Sequence, residues 1–143
     1  MNYAITYRKH EDGYAGQFAD FKILVLADTA EQVQTDAYDN LIDHLMGFME
    51  AGQPVPLPIA EPNPSSVALL PSIAVKVLLH NLALEQNKSR SWIASQMGVT
   101  RQVMTRLFNL RETTKVETLQ NALNALGHEM KIEIVPSVRN VSF

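Results

Sequence analysis

The sequence predicts an α+β chain. A small β-β-β-α-β layer is joined by a proline-rich linker to an all-α region that closes with one more strand. Three patterns carry this prediction. Short runs near the start alternate apolar and polar residues with period two. Val33 to Phe48 repeats apolar positions every three or four residues. Further helical stripes then fill residues 71–126, two of them meeting at Gly98.

Tyr3 to Tyr7 alternates in strand fashion, Glu11-Asp12-Gly13 supplies hairpin-turn chemistry, and Tyr14 to Phe18 returns as a second strand. Ile23 to Leu26 is a short continuous apolar run, which predicts a strand buried on both faces. A helix starts at Asp28 or Thr29, with Glu31 in capping-box position. Val33, Ala37, Leu41, Leu45 and Phe48 face the sheet, and Gly52 and Pro54 end the helix. Gln53 to Ser66 holds five of the seven prolines, so it is extended and stiff and reads as a spacer. Val67 to Leu70 adds a fourth strand.

Pro71-Ser72 opens the next helix, with Val75, Leu78, Leu79 and Leu82 as its buried stripe. In RSWIASQMGVTRQVMTRL (Arg90 to Leu107), Ile93, Ala94, Met97, Val99, Met104 and Leu107 face inward if two short helices meet at Gly98. A turn there needs positive φ. Thr100 caps the second helix of this helix-turn-helix. Arg101, Gln102, Thr105 and Arg106 then point outward, where they can reach phosphates and base edges in a major groove. Thr100 and Asn109, at the two ends of this helix, are counted with them as DNA-binding residues. Lys88, Arg90 and Arg111 flank the motif as phosphate contacts. Thr114 to Glu117 is a capping box for a last helix with Val116, Leu119, Leu123 and Leu126 inward and Gly127 as its stop. Met130, Ile132 and Ile134 alternate with Lys131 and Glu133 as a final strand, whose unpaired edge would be satisfied by a second copy. The domains are therefore residues 1–70, including linker 53–66, and residues 71–135, followed by a tail, 136–143.

The net charge of −3 hides an asymmetry: residues 1–70 carry −7 and residues 71–143 carry +4. The basic part suits a polyanion, and the acidic part suits a basic protein. The absence of cysteine excludes disulfides and thiolate chemistry. MNYAITYRKH lacks a signal core, and no apolar run is long enough to span a membrane, so a cytoplasmic protein is expected. His10, His44, His80 and His128 are scattered. Asp12, Asp20 and Asp28 fall at a turn, a loop and a cap, where aspartate serves structure. No catalytic residue, metal site or cofactor is expected. Two other readings stay open on the residues alone: a stand-alone repressor with a ligand-sensing N-terminal domain, and a metal-dependent nuclease on the N-terminal sheet.

The layout resembles the HicB antitoxin family over nearly the whole chain. The similarity is carried by the opening strand, EDGYAGQF, Asp20, the helix DTAEQVQTDAYDNLIDHL and the run MEAGQPVPLP. The stretch from PSIAVKVLLH to NALGHEM resembles the family's subgroup with a phage-repressor-type (Xre/Cro) helix-turn-helix, most distinctively in TRLFNL, then TK, then a helix ending ALG. The sequence departs at Phe21 to Ala27, where many members have a Pro-Gly or Pro-Glu turn and a short strand with Thr and Gly. The resemblance implies a degenerate ribonuclease-H-like N-terminal domain that covers a small RNA-cleaving toxin of the HicA type. It also implies a C-terminal domain that dimerises and represses its own operon; whether dimers pair further into a tetramer stays open.

Overall fold

The computed structural model describes residues 1–60 and 65–136. Its first part is a four-stranded antiparallel sheet, in the order β3 (Leu24–Ala27), β2 (Gly13–Phe18), β1 (Asn2–His10), β4 (Ser65–Ala68), with one long helix on one face. β1 (Asn2–His10) and β2 (Gly13–Phe18) form a hairpin around Glu11 and Asp12, with Ile5 facing Phe18 and His10 facing Gly13. Gly13 has φ +144°, and a Cβ there would stand 2.5 Å from the Ala27 carbonyl oxygen, so only glycine fits.

β3 (Leu24–Ala27) corrects an expectation. Only Val25 is buried; Leu24 and Leu26 are 59% and 68% exposed. The reason is position. β3 is the sheet's edge strand, and the opposite face of the sheet also leaves Thr6, Arg8 and Gln17 in solvent. At the other edge, β4 (Ser65–Ala68) pairs with β1, two residues earlier than the sequence pattern placed it.

α1 (Ala30–Glu50) is capped by Thr29, whose Oγ1 accepts the Gln32 N–H at 3.1 Å. Glu31 lies in the first turn, beside the positive end of the helix dipole. Val33, Ala37, Leu41, Ile42, Leu45 and Met49 are buried on a core that includes Ile5, Phe18 and Val25. Burying each of the larger side chains is worth about 1.5–3 kcal/mol.

The proline-rich run differs from a free spacer. Its described part, 53–60, is fastened on several sides. Tyr3 Oη donates to the Pro56 carbonyl at 2.8 Å, and the Asp20 carboxylate accepts from the Ile59 and Ala60 N–H groups. Asn81 grips Val55 through both backbone groups, at 2.7 and 2.9 Å. Prolines leave few backbone donors in such a run, so side chains from elsewhere take up the remaining groups. Residues 61–64 of the predicted linker lie outside the described residues.

α2 (Pro71–Glu85) buries Lys76, Val77, Leu79, His80 and Ala83, whereas Leu78, assigned to the stripe, is 43% exposed. This helix is apolar nearly all round, so sequence period does not fix its phase. α3 (Arg90–Met97), α4 (Arg101–Leu107) and α5 (Val116–Ala125) complete the bundle; α5 packs on both α2 and α3. Gln86, at the end of α2, donates to the Leu126 carbonyl at the end of α5. Two details of α5 differ from expectation. Lys115 occupies the cap position without a side-chain bond, Thr114 Oγ1 being buried and unpartnered. Val116 is half exposed, and Leu119 and Ala122 carry the buried face. One apolar core runs from Tyr3 through the sheet and α1 to α2–α5.

The expected final strand is absent in the single chain. Residues 128–136 take no regular structure, and Ile132 and Ile134 are 73% and 98% exposed. A strand needs a partner ladder for its backbone groups, and among the described residues none pairs with this segment. The tail beyond Pro136 lies outside the described residues. Among the described residues, no helix is long and apolar enough to cross a membrane.

Candidate nucleic-acid interface

α3 and α4 are built by their caps and by one glycine. Ser89 Oγ accepts the Trp92 N–H at 3.0 Å and starts α3. Gly98 ends it at φ 68° and ψ 34°, left-handed backbone. Residues with a Cβ adopt that conformation only at a cost. Thr100 Oγ1 accepts the Val103 N–H and starts α4. Ile93, Met104 and Leu107 are buried, and Ala94, Met97 and Val99 are half-buried against them. Arg101, Gln102, Thr105 and Arg106 are consequently all exposed on one face of α4. Thr105 Oγ1 donates to the Arg101 carbonyl at 3.1 Å, which leaves its lone pairs free to accept.

The far end of α4 is held by a lysine. Lys76 is 1% exposed, and its Nζ donates to the carbonyls of Arg106, Asn109 and Glu112 at 3.0, 2.8 and 2.6 Å. An ammonium has three donors, and here each meets an acceptor. These carbonyls lie at and just beyond the C-terminus of α4, where the helix dipole favours a cation; those of Arg106 and Asn109 accept backbone N–H groups as well. Burial pulls the Lys76 ammonium below its usual range, while Glu112 pushes the other way. One turn along α2, His80 Nε2 donates to the Gln53 carbonyl at 2.8 Å. A neutral imidazole with its proton on Nε2 makes that bond. Burial lowers the His80 pKa most; the bond to Gln53 raises it, and nearby Arg90 lowers it further.

The flanking cations are placed less freely than the sequence suggests. Lys88 Nζ lies 4.4 Å over the Trp92 ring, and the Arg90 guanidinium lies 4.5 Å over Phe108. Asn109 is half-buried; its Oδ1 accepts the Arg111 N–H at 3.0 Å, so it shapes the turn after α4. Arg111 forms an ion pair with Asp43 of α1 and donates to the Asp39 carbonyl at 3.4 Å. A cleft of about 520 Å³ lies between the C-terminal part of α1 (Met46, Met49, Glu50) and Arg90, Thr105 and Asn109.

Sequence reasoning therefore brought Arg101, Gln102, Thr105 and Arg106 together on one surface. It missed the residues behind them: Lys76, Trp92, Phe108 and the α1 carboxylates. A lone lysine inside the apolar stretch PSIAVKVLLH was a readable signal, because a lysine there must find acceptors if it is buried. Among the described residues, no three His, Asp or Glu side chains converge as metal ligands.

No protein-family profile matches the chain. Among curated proteins it is 33% identical over 136 residues to antitoxin HicB 1 of Photorhabdus laumondii, covering 94% of this chain and 87% of that protein. Antitoxin HicB 2 of the same organism is 32% identical over 133 residues, covering 92% and 95%. Antitoxin HicB of Escherichia coli K12 is 32% identical over 138 residues, covering 94% of this chain and all of that one. Identity at this level, spanning sheet, connector and helices alike, places the chain in the HicB antitoxin family.

Proposed function

We propose that this protein is a cytoplasmic, non-enzymatic antitoxin with two activities. It binds and neutralises a HicA-type mRNA-cleaving toxin, and it represses its own operon by binding operator DNA through a helix-turn-helix formed by α3 and α4. The observation that carries the second activity is the exposed face of α4, where Arg101, Gln102, Thr105 and Arg106 stand together on a helix fixed at both ends by Thr100 and Lys76. Thr100 at the helix start and Asn109 after it complete the reading surface, with Lys88, Arg90 and Arg111 beside it as phosphate contacts.

Residues 1–70 form the toxin-binding half and residues 71–135 the DNA-binding and dimerising half. The division follows charge, −7 in residues 1–70 against +4 in the remainder, which steers each half towards a partner of opposite sign. Operators read by such motifs are two-fold, so one helix-turn-helix per chain calls for a dimer. The apolar, exposed Ile132 and Ile134 suit strand pairing with a second copy, and pairs of dimers would give a tetramer. The test is co-expression with the neighbouring gene product in growing cells. Growth is restored if the reading holds; arrest in the presence of folded, soluble protein overturns it.

A further inference from the structure

We infer that the acidic outer face of α1 competes with duplex phosphates for Arg111, so that the N-terminal half restrains the chain's own DNA affinity. The inference rests on the DNA-binding reading of α4 and adds a regulatory contact to it.

Two observations meet at this place. Arg111, in the turn after α4, is paired with Asp43 and also donates to the Asp39 carbonyl, joining positions 68 and 72 residues apart in sequence. Independently, the C-terminal part of α1 faces the Thr105 side of α4 across the cleft, with Glu50 on its wall. Glu50 and Thr105 line the same cleft, so a duplex lying along that side of α4 comes up against the C-terminal end of α1. Asp39, Asp43 and Glu50 repel phosphate, and Asp43 occupies the guanidinium that would otherwise bind it. The side chains of Arg111 and Asp43 are 46% and 68% exposed. A pair so open to water is weak enough to exchange partners on binding. Displacing it releases Arg111 to the backbone and removes one carboxylate from the reading surface.

The experiment uses the full chain and a duplex taken from the region immediately upstream of its own coding sequence, with affinity followed as a function of salt. Asp43→Asn is expected to tighten binding about three- to fivefold, the strength of an exposed ion pair. Its log–log salt slope should steepen by up to about 0.9, as Arg111 goes from a shared to a full phosphate contact. Glu11→Gln, in the β1–β2 turn, changes net charge equally and should leave both quantities nearly unchanged. Arg111→Ala should cost less in the wild-type chain than in the Asp43→Asn chain, where it abolishes the gain. Equal effects of Asp43→Asn and Glu11→Gln, or weaker binding by Asp43→Asn, overturn the inference. The underlying reading has its own control: if Gln102→Ala with Arg106→Ala binds the duplex as the wild type does, the DNA interface itself is wrong and the inference falls with it.

Discussion

Replacing Lys76 by methionine keeps most of the side-chain volume and removes all three donors at the end of α4. The carbonyls of Arg106 and Asn109 then keep only the backbone N–H groups of Asn109 and Glu112, and the Glu112 carbonyl loses its lysine donor. A hydrogen bond to a charged group contributes about 1.5–3 kcal/mol, so losing all three would cost at most roughly 9 kcal/mol. Two effects reduce that figure. Methionine escapes the desolvation that burial imposes on the ammonium, and the turn after α4 can relax to admit water. A net destabilisation of about 3 kcal/mol is expected, which for a chain of this length lowers Tm by roughly 10 °C. Denaturant unfolding and calorimetry on the pure protein measure it. The loss should come with weaker operator binding at temperatures where the variant is still folded, because the end of the reading helix is no longer fixed. A Lys76→Met protein as stable as the parent would refute the reasoning, since the three bonds would then contribute nothing beyond what water supplies.

The other predictions concern pH, backbone and assembly. Folded His80 holds its proton less tightly than the unfolded chain does. Stability should therefore fall as pH drops below about 6.5 and level off beneath the folded value. His80→Gln should flatten that part of the curve, measured as the difference between the two proteins. Gly98→Ala puts a Cβ on left-handed backbone, although open space surrounds the site. It should cost about 1–2 kcal/mol in denaturant unfolding, and a variant as stable as the parent would show that the turn relaxes freely. A chain ending at Gly127 should sediment as a monomer and lose most operator affinity; a truncated chain as dimeric as the parent would show that 128–136 is not the interface.

What the sequence made legible was local. The β1–β2 hairpin announces itself by period-two alternation around Glu11-Asp12-Gly13, and α1 by its regular stripe and Thr29 cap. The α3–α4 pair follows from Gly98 flanked by two capped helices, so the exposed face of α4 could be named residue by residue. What stayed hidden depends on neighbours distant in sequence. An apolar run such as Ile23 to Leu26 reads alike for a doubly buried strand and for an edge strand; only its place at the sheet edge exposes Leu24 and Leu26. α2 is apolar on most sides, so its buried face is set by what surrounds it and not by its own period. The grip of Asn81 on Val55 and the Arg111–Asp43 pair join single residues with no local pattern, and the first of them helps turn a predicted spacer into part of a continuous core.

The central claim, one chain with a toxin-binding half and a separate DNA-reading face, is tested most directly by the Gln102→Ala, Arg106→Ala double variant. It would be expressed in cells that carry both the neighbouring toxin gene and a reporter driven by the operon's promoter. Both substituted side chains are exposed and bear no part of the core, so the fold should be kept. The account predicts normal growth with the reporter switched on: toxin still neutralised, operator no longer held. A reporter that stays repressed, or growth that arrests despite folded protein, would contradict it.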